Sequence, residues 1–426
     1  MLYVQHLRDE DIDAATWDRL LAQSPGGGHA LQTHAWGEFK RTQGWLPVRL
    51  ALKDGDTNHT CGVALLMVRD VAGSGGRIAY CAKGPWIDWS SAEQTRAMLQ
   101  GMAHFARRHG AFILKIEAEL RTGPGLPTRV PPSLEPSIRR AIDIGRRLRN
   151  RNSTETDGKH TTRSLDDSED DKRIVEAREG LLAARAVGAH DAFAPGRAAF
   201  CDLGFAKSLW DMQNRTTMAI DLAAPDAMLA RMKSKWRYNI KLAGRKGVTV
   251  VEDNSQAARD ILYEMHARTA DRDGFVLRPR DYLYGAWAHM IDAGYGQIFL
   301  AYHEGRPLAG LLAHTFGRKA WYQVGASETE GRNLMPAHAL QFHVMQWAQQ
   351  RGITYYDLVA IPNLEDLEAG DAGMWGLYTF KYGFGSYPIE WAGGMDLSLD
   401  PRGHAWEFVE PAYYRLYRRR TGNLLY

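Results

Sequence analysis

The sequence predicts a mixed α/β protein, made of α+β mixed sheets in two similar halves with a charged insert between them. Three observations carry this. The order strand–strand–strand–helix–strand occurs twice, over 48–117 and again over 297–359. Within those stretches apolar residues recur every three to four positions in the helices and bunch between turn residues in the strands. Between them the composition turns charged and polar, and such a segment cannot bury a core of its own.

The first half begins with a strand, Val48 to Leu52, that turns at Asp54-Gly55. It runs on through the apolar strand Gly62 to Val68 and a third, Arg77 to Cys81. The second half repeats this with Gln297 to Tyr302, a turn at Glu304-Gly305, Leu308 to His314 and Ala320 to Val324. Both are meanders with turn residues where hairpins need them. A helix follows each. Ser91 to His109 places Met98, Met102, Phe105 and Ala106 on one face and meets Gly110 where a C-terminal cap belongs. Pro336 to Arg351 does the same with Leu340, Val344, Met345 and Ala348, and stops at Gly352; Pro336 suits a first helical turn. Each helix feeds a strand, Phe112 to Glu117 and Thr354 to Val359. Such a repeat predicts internal duplication, and the unit resembles the half-barrel of GNAT-type acyltransferases. Domains are expected at 1–213 and 214–384. An insert over about 123–196, nearly all charged or polar from Arg146 to Asp171, is expected to be largely disordered, with helix formers from Lys172 to Ala186.

The chain has 426 residues, 45% hydrophobic and 24% charged, enough for two or three soluble domains. Cys61, Cys81 and Cys201 lie far apart, which argues against a zinc site or a disulfide framework and suits a reducing compartment. No apolar run approaches the roughly 18 residues of a membrane span, and the charged start lacks a signal-peptide core. A cytoplasmic location is expected. His303, His314, His338 and His343 show no metal spacing with carboxylates and read as structural residues.

Asp226 to Gly247 reads as one amphipathic helix. Met228, Met232, Trp236, Ile240 and Ala243 share a side, while Lys233, Arg237, Lys241 and Arg245 step by four beside them. Seven basic residues and no acidic one lie between Arg231 and Lys246. Either this is a solvated surface face, or it lies against phosphates, which Arg grips bidentately.

Several motifs carry a family resemblance. Gln32 to Lys40 (QTHAWGEFK) with Gly44-Trp45, the loop Lys83 to Asp88 (KGPWID), and Lys233 to Ile240 (KSKWRYNI) with Lys246-Gly247-Val248 come in order. Gly325-Ala326-Ser327, Tyr356-Asp357-Leu358 and Tyr378 to Gly385 (YTFKYGFG) complete the set. Together they resemble the FemABX family across nearly the whole chain except the insert. That resemblance implies two GNAT-like domains, with the 385–426 tail folded back onto the first. It implies transfer of an amino acid from aminoacyl-tRNA, as co-substrate and with no cofactor, to the stem-peptide amine of a peptidoglycan precursor. The acceptor would be lipid II or UDP-MurNAc-pentapeptide. By the same carry-over, Lys40 and Arg237 would hold the acceptor pyrophosphate, within a binding set of Trp36, Lys83, Lys233, Lys241 and Tyr238. Lys83 stands where some relatives have an aromatic residue. Phe380, Lys381 and Asp88 would lie at the acyl-transfer centre.

An aminoacyl ester is already activated, so the enzyme needs proximity and a stabilised oxyanion rather than a covalent intermediate. No nucleophile signature is present, which agrees with direct attack. Lys381 either offers a cation to the oxyanion or packs its stem beneath Tyr378 and Tyr382. Asp88 either orients the amine or caps the helix near Ser91. The tryptophans Trp36, Trp45, Trp86 and Trp89 either line a cleft or fill a core. Acetyl-CoA is disfavoured, because the pyrophosphate-binding Gln/Arg-x-x-Gly-x-Gly/Ala loop is missing from both strand–helix junctions. Two rivals remain: a tRNA-dependent transferase acting on proteins or lipids, and a non-catalytic RNA-binding module. The tail Tyr413 to Arg420, with arginines among aromatics, is a candidate contact for tRNA or the inner membrane face.

Overall fold

Each meander pairs antiparallel, and each crossover helix returns a parallel strand, as a strand–helix–strand connection demands. In this computed structural model, residues 1–121, 176–184, 194–363 and 375–426 are described. The first sheet holds β1 (Leu2–Leu7), β2 (Leu46–Asp54), β3 (Thr60–Val71), β4 (Gly76–Ala82), β5 (Ala111–Glu117) and β6 (Ala206–Lys207). The second holds β7 (Thr216–Asp221), β8 (Thr249–Glu252), β9 (Gly296–His303), β10 (Arg306–Phe316), β11 (Lys319–Ser327), β12 (Tyr355–Ala360) and β13 (Tyr387–Glu390). The last strand, β14 (Met395–Ser398), crosses back to the first sheet and lies between β5 and β6. The sheet orders are β1-β2-β3-β4-β5-β14-β6 and β13-β7-β12-β11-β10-β9-β8.

The helices are α1 (Ala14–Gln23), α2 (His34–Thr42), α3 (Ala92–Arg108), α4 (176–184), α5 (Ala194–Asp202), α6 (Pro225–Arg231) and α7 (Ser234–Arg245). They continue with α8 (Gln256–Asp273), α9 (Arg280–Asp292), α10 (Pro336–Gln350), α11 (Trp375–Tyr382) and α12 (Pro401–Thr421). The repeat is β2-β3-β4-α3-β5 against β9-β10-β11-α10-β12. Its copies differ at the parallel pair. β4 and β5 stay paired from Arg77 to Ala82, whereas β11 and β12 pair only over Lys319–Trp321 and Tyr355–Asp357. Beyond that, β12 bends at Val359 (φ 59°), and its register against β7 slips between Asp357 and Ala360. The second half therefore opens a splay between two parallel strands, and the first does not.

Three expectations are corrected. The basic segment is two helices, not one. Met232 and Lys233 are extended, so Met228 and Met232 both reach the core and the Lys233 amide bonds the Gly383 carbonyl at 3.0 Å. Part of the expected insert is packed: Ala177 and Leu181 of α4 lie in the second core. Its charged middle, 146–171, lies outside the described residues. The tail does not leave the second sheet at residue 385; it first adds β13 beside β7 and crosses afterwards.

One core joins the halves. Leu65, Met67 and Ile78 of the first sheet pack in the same cluster as Met290, Phe316 and Trp321 of the second half and Trp406, Leu425 and Tyr426 of the tail.

Candidate active site

The Gln32 motif is a structural lock that aims α2. Gln32 is 1% exposed; its amide donates to the Leu65 and Ala82 carbonyls and its oxygen accepts the Leu65 amide. Thr33 then caps α2 by accepting the Trp36 amide at 3.2 Å. A side chain at Gly84 would come within 2.7 Å of Gln32, which explains the glycine of the Lys83 loop. So anchored, α2 lays Trp36 and Phe39 against α9, where Phe39 meets Tyr282 edge-on at 5.0 Å.

Lys40 is thereby held in a cavity between the halves. Trp36, Tyr80, Gln213, Tyr282, His314, Gln323 and Tyr414 line it with Arg278. The Lys40 ammonium lies 3.5 Å from the Tyr282 hydroxyl and 5.3 to 5.8 Å from the ring centres of Trp45, Tyr282 and Trp36. Arg278 lies over the Tyr282 ring at 4.4 Å and donates to Asn423 Oδ1 and the Tyr426 main-chain oxygen. Burial, with Arg278 and Arg69 close by, holds the Lys40 ammonium well below the ordinary lysine range. No Asp or Glu is among the described lining residues. An anion placed there would favour the lysine's charged form, because opposite charge favours the ionised state. His314 adds an unusual group: its ring is 2% exposed and neither nitrogen has a hydrogen-bond partner. Burial lowers it to about 4, so it is neutral and offers one donor and one acceptor to the cavity. Behind Tyr80, whose hydroxyl donates to Glu117, burial raises that carboxyl to about 7.

Lys381 sits at the mouth of the strand splay. Its side chain is 3% exposed; its ammonium donates to the Ala360 carbonyl at 2.6 Å and lies 5.8 Å from the Tyr322 ring centre. Burial lowers it to about 7, against the pull of Asp357. Asp357 accepts from the Thr217 hydroxyl and the Val359 amide, and burial raises it to about 6. Between Lys381 and the first half runs a seam of charge: Glu119 lies 3.6 Å from Lys319, 3.7 Å from His29 and 4.0 Å from Lys83.

Residues 12–121 match the FemAB family and residues 230–381 match the acetyltransferase (GNAT) domain. The chain is 22% identical, over 88% of its length and 89% of the relative's, to a lipid II:glycine glycyltransferase of Staphylococcus saprophyticus. It is 34% identical over 46% of its length to the UDP-N-acetylmuramoylpentapeptide-lysine N(6)-alanyltransferase of Weissella viridescens, covering 56% of that protein. The crystal structure of FemX superposes with a TM-score of 0.69 at 19% identity, covering 96% of this chain and 99% of that one. The chain is similar to FemABX proteins over most of its length. It is a transferase with two GNAT-like halves.

The expected site residues do not converge on one point. Lys40 and Trp36 share the cavity. Arg237 does not join them; its guanidinium donates to the Leu229 and Met232 carbonyls and ties α6 to α7. The cation that faces Lys40 is Arg278, in the loop before α9, where Arg278-Pro279-Arg280 belongs to none of the motifs read from the sequence. Lys241 and Tyr238 are exposed on α7, Tyr238 at 56% and 5.7 Å from Arg245. Lys233 pairs with Glu176 of α4 at 3.5 Å, so the basic stripe does have a counter-charge. Lys83 belongs to the Glu119 seam and stands 5.6 Å from the Trp391 ring. Phe380 packs on His338 and Phe384, while its neighbour Lys381 turns to Ala360. Asp88 accepts from the Ser90 amide and hydroxyl in the turn before α3, the structural reading of that residue; Ser91 is the cap itself.

Proposed function

We propose that this protein moves an amino acid from aminoacyl-tRNA to the side-chain amine of the stem-peptide diamino acid of a peptidoglycan precursor, building the interpeptide bridge. One observation carries the reading: two buried lysines, Lys40 and Lys381, stand at separate places, Lys40 in the cavity between the halves and Lys381 beside the splayed strands. Lys40 and Arg278, backed by Arg69, suit the acceptor pyrophosphate, which is chemically unaltered. Lys381, at the splay of β11 and β12, suits the reacting carbonyl. The names of the two relatives supply the acceptor class, since one acts on lipid II and the other on the UDP-linked pentapeptide. The exposed face of α7, with Lys235, Tyr238, Lys241 and Arg245, suits tRNA phosphates.

The acceptor nitrogen attacks the ester carbonyl and forms the new C–N bond. Charge moves to the carbonyl oxygen, where the Lys381 ammonium stabilises it. Collapse breaks the bond to the ribose oxygen, which takes up a proton as the amine loses one. No covalent enzyme intermediate is needed. The experiment is a matrix of charged tRNAs against lipid-linked and UDP-linked acceptors, read by mass spectrometry. An amino acid appearing on the diamino-acid side chain supports the reading; no product from any pair overturns it.

A further inference from the structure

The helix that closes the chain presents an unusual outer face. The inner side of α12 is fixed: Trp406 and Glu410 are buried, and Tyr413 and Tyr417 bond the Ala72 amide and Arg69. Turned the other way, Ala405, Phe408, Val409, Ala412 and Leu416 form one continuous exposed stripe, spaced at three and four. Phe408 is 62% exposed, Val409 50% and Leu416 46%. Scattered exposed apolar residues are ordinary, but a continuous stripe on one helix face is a docking surface. Arg415, Arg419 and Arg420 are exposed at its C-terminal end, with Arg418 half-exposed beside them. The helix offers that end no acid: Glu410 is buried and Glu407 accepts from Ser398.

A second element brings exposed apolar groups to the same end of α12. Phe275 (42%) and Val276 (44%) stand in the loop after α8. That loop meets the end of α12, where a side chain at Gly422 would lie 3.9 Å from Pro279 and Arg278 bonds Asn423 at 3.1 Å. Asp273, at the start of that loop, is paired with Arg272 at 2.9 Å. Both elements border the Lys40 cavity, through Arg278 on one side and Tyr414 on the other.

We propose that the outer face of α12, together with the Phe275–Val276 loop, seats the enzyme on an anionic lipid surface. The cavity would thereby stand over an acceptor whose lipid tail stays in the bilayer. The proposal rests on reading the Lys40 cavity as the acceptor site. Apolar residues with arginines at one end are what an interfacial helix needs: the stripe enters the headgroup boundary and the cations meet the anionic lipids. RNA fits this face less well, because an aliphatic stripe offers phosphates nothing, and α7 already carries an exposed basic face.

The test is co-sedimentation of the full chain with vesicles of equal parts phosphatidylglycerol and phosphatidylcholine, against phosphatidylcholine alone. Binding to the anionic vesicles only, weakened by salt, is expected. Phe408→Ser with Val409→Ser, and separately Arg415→Gln with Arg419→Gln and Arg420→Gln, should each cut vesicle binding by about tenfold or more. Turnover of a UDP-linked acceptor in solution should stay unchanged in both variants, while turnover of a vesicle-borne lipid-linked acceptor falls. Failure of the parent to bind anionic vesicles overturns the proposal, as do variants that bind as well as the parent. Loss of tRNA binding or of a dimer, with vesicle binding intact, also overturns it and assigns the face to that partner. If the parent uses neither acceptor, the proposed function falls, and vesicle binding still decides the docking face.

Discussion

At the residue scale, Lys40, Arg278 and Lys381 should fail in different ways. The anion at Lys40 and Arg278 is the same in ground and transition states, so Lys40→Ala or Arg278→Ala should raise KM for the acceptor with kcat nearly kept. Each charged hydrogen bond lost is worth about 1.5–3 kcal/mol. Lys381 answers to charge present only during transfer, so Lys381→Ala should lower kcat by about 100-fold or more. Its pH dependence has a definite sign. With the folded-state value near 7, against 10.5 for a free lysine, the ammonium is lost as pH rises through about 7. The kcat of the parent should fall above that pH, and Lys381→Met should lack the falling limb. A parent kcat that rises across the same window would make Lys381 a base instead. Arg237→Ala should leave the acceptor KM unchanged and cost about 1–2 kcal/mol of stability, since its partners are two backbone carbonyls. Steady-state kinetics with saturating aminoacyl-tRNA, beside thermal melts, checks all of these.

At the element scale, the Gln32 lock predicts a large effect from a residue that touches no substrate. Gln32→Ala strands the Leu65 amide and the Leu65 and Ala82 carbonyls in a dry core. Unsatisfied buried groups cost about 1–3 kcal/mol each, so denaturant unfolding should show a loss of roughly 3 kcal/mol or more. It should also raise the acceptor KM by loosening α2. Elements like this mark what could be read in advance. The meanders were legible because their strands are apolar runs of five to seven residues between turn residues, and the crossover helices because each keeps one apolar face over several turns. β13 and β14 span four residues each and β6 two, too short for any period to register. The basic segment kept its helical spacing through Met228, Met232 and Trp236, so its break at Met232–Lys233 left no mark in the pattern. The cavity was half legible. Lys40 and Trp36 came with their motif, but Arg278 faces Lys40 only because α9 packs against α2, and His314 gained its meaning from having no partner.

At the scale of the whole molecule, the shared core makes a prediction that the duplication alone does not. Two linked GNAT-like units could unfold separately, as domains with small polar interfaces do. Here Leu65, Met67 and Ile78 share a cluster with Met290, Phe316 and Trp321, and the tail seals it with Trp406, Leu425 and Tyr426. The charged seam adds Glu119 of the first half against Lys319 of the second, with the Lys319 ammonium 4.3 Å from the Trp86 ring centre. Neither half can leave the other without exposing aromatic and aliphatic surface and uncovering Lys319. Calorimetry of the full chain should therefore give one transition whose calorimetric and van't Hoff enthalpies agree. Glu119→Ala should lower its midpoint, because removing one member of a buried ionic cluster leaves charge uncompensated at a cost of about 3–5 kcal/mol. Two resolved transitions in the parent would show that the halves are thermally independent. The seam variant distinguishes what holds them. If Glu119→Ala splits one transition into two, the ionic seam governs the coupling. If it lowers a single transition without splitting it, the apolar cluster does, which is the outcome expected from burial at this seam.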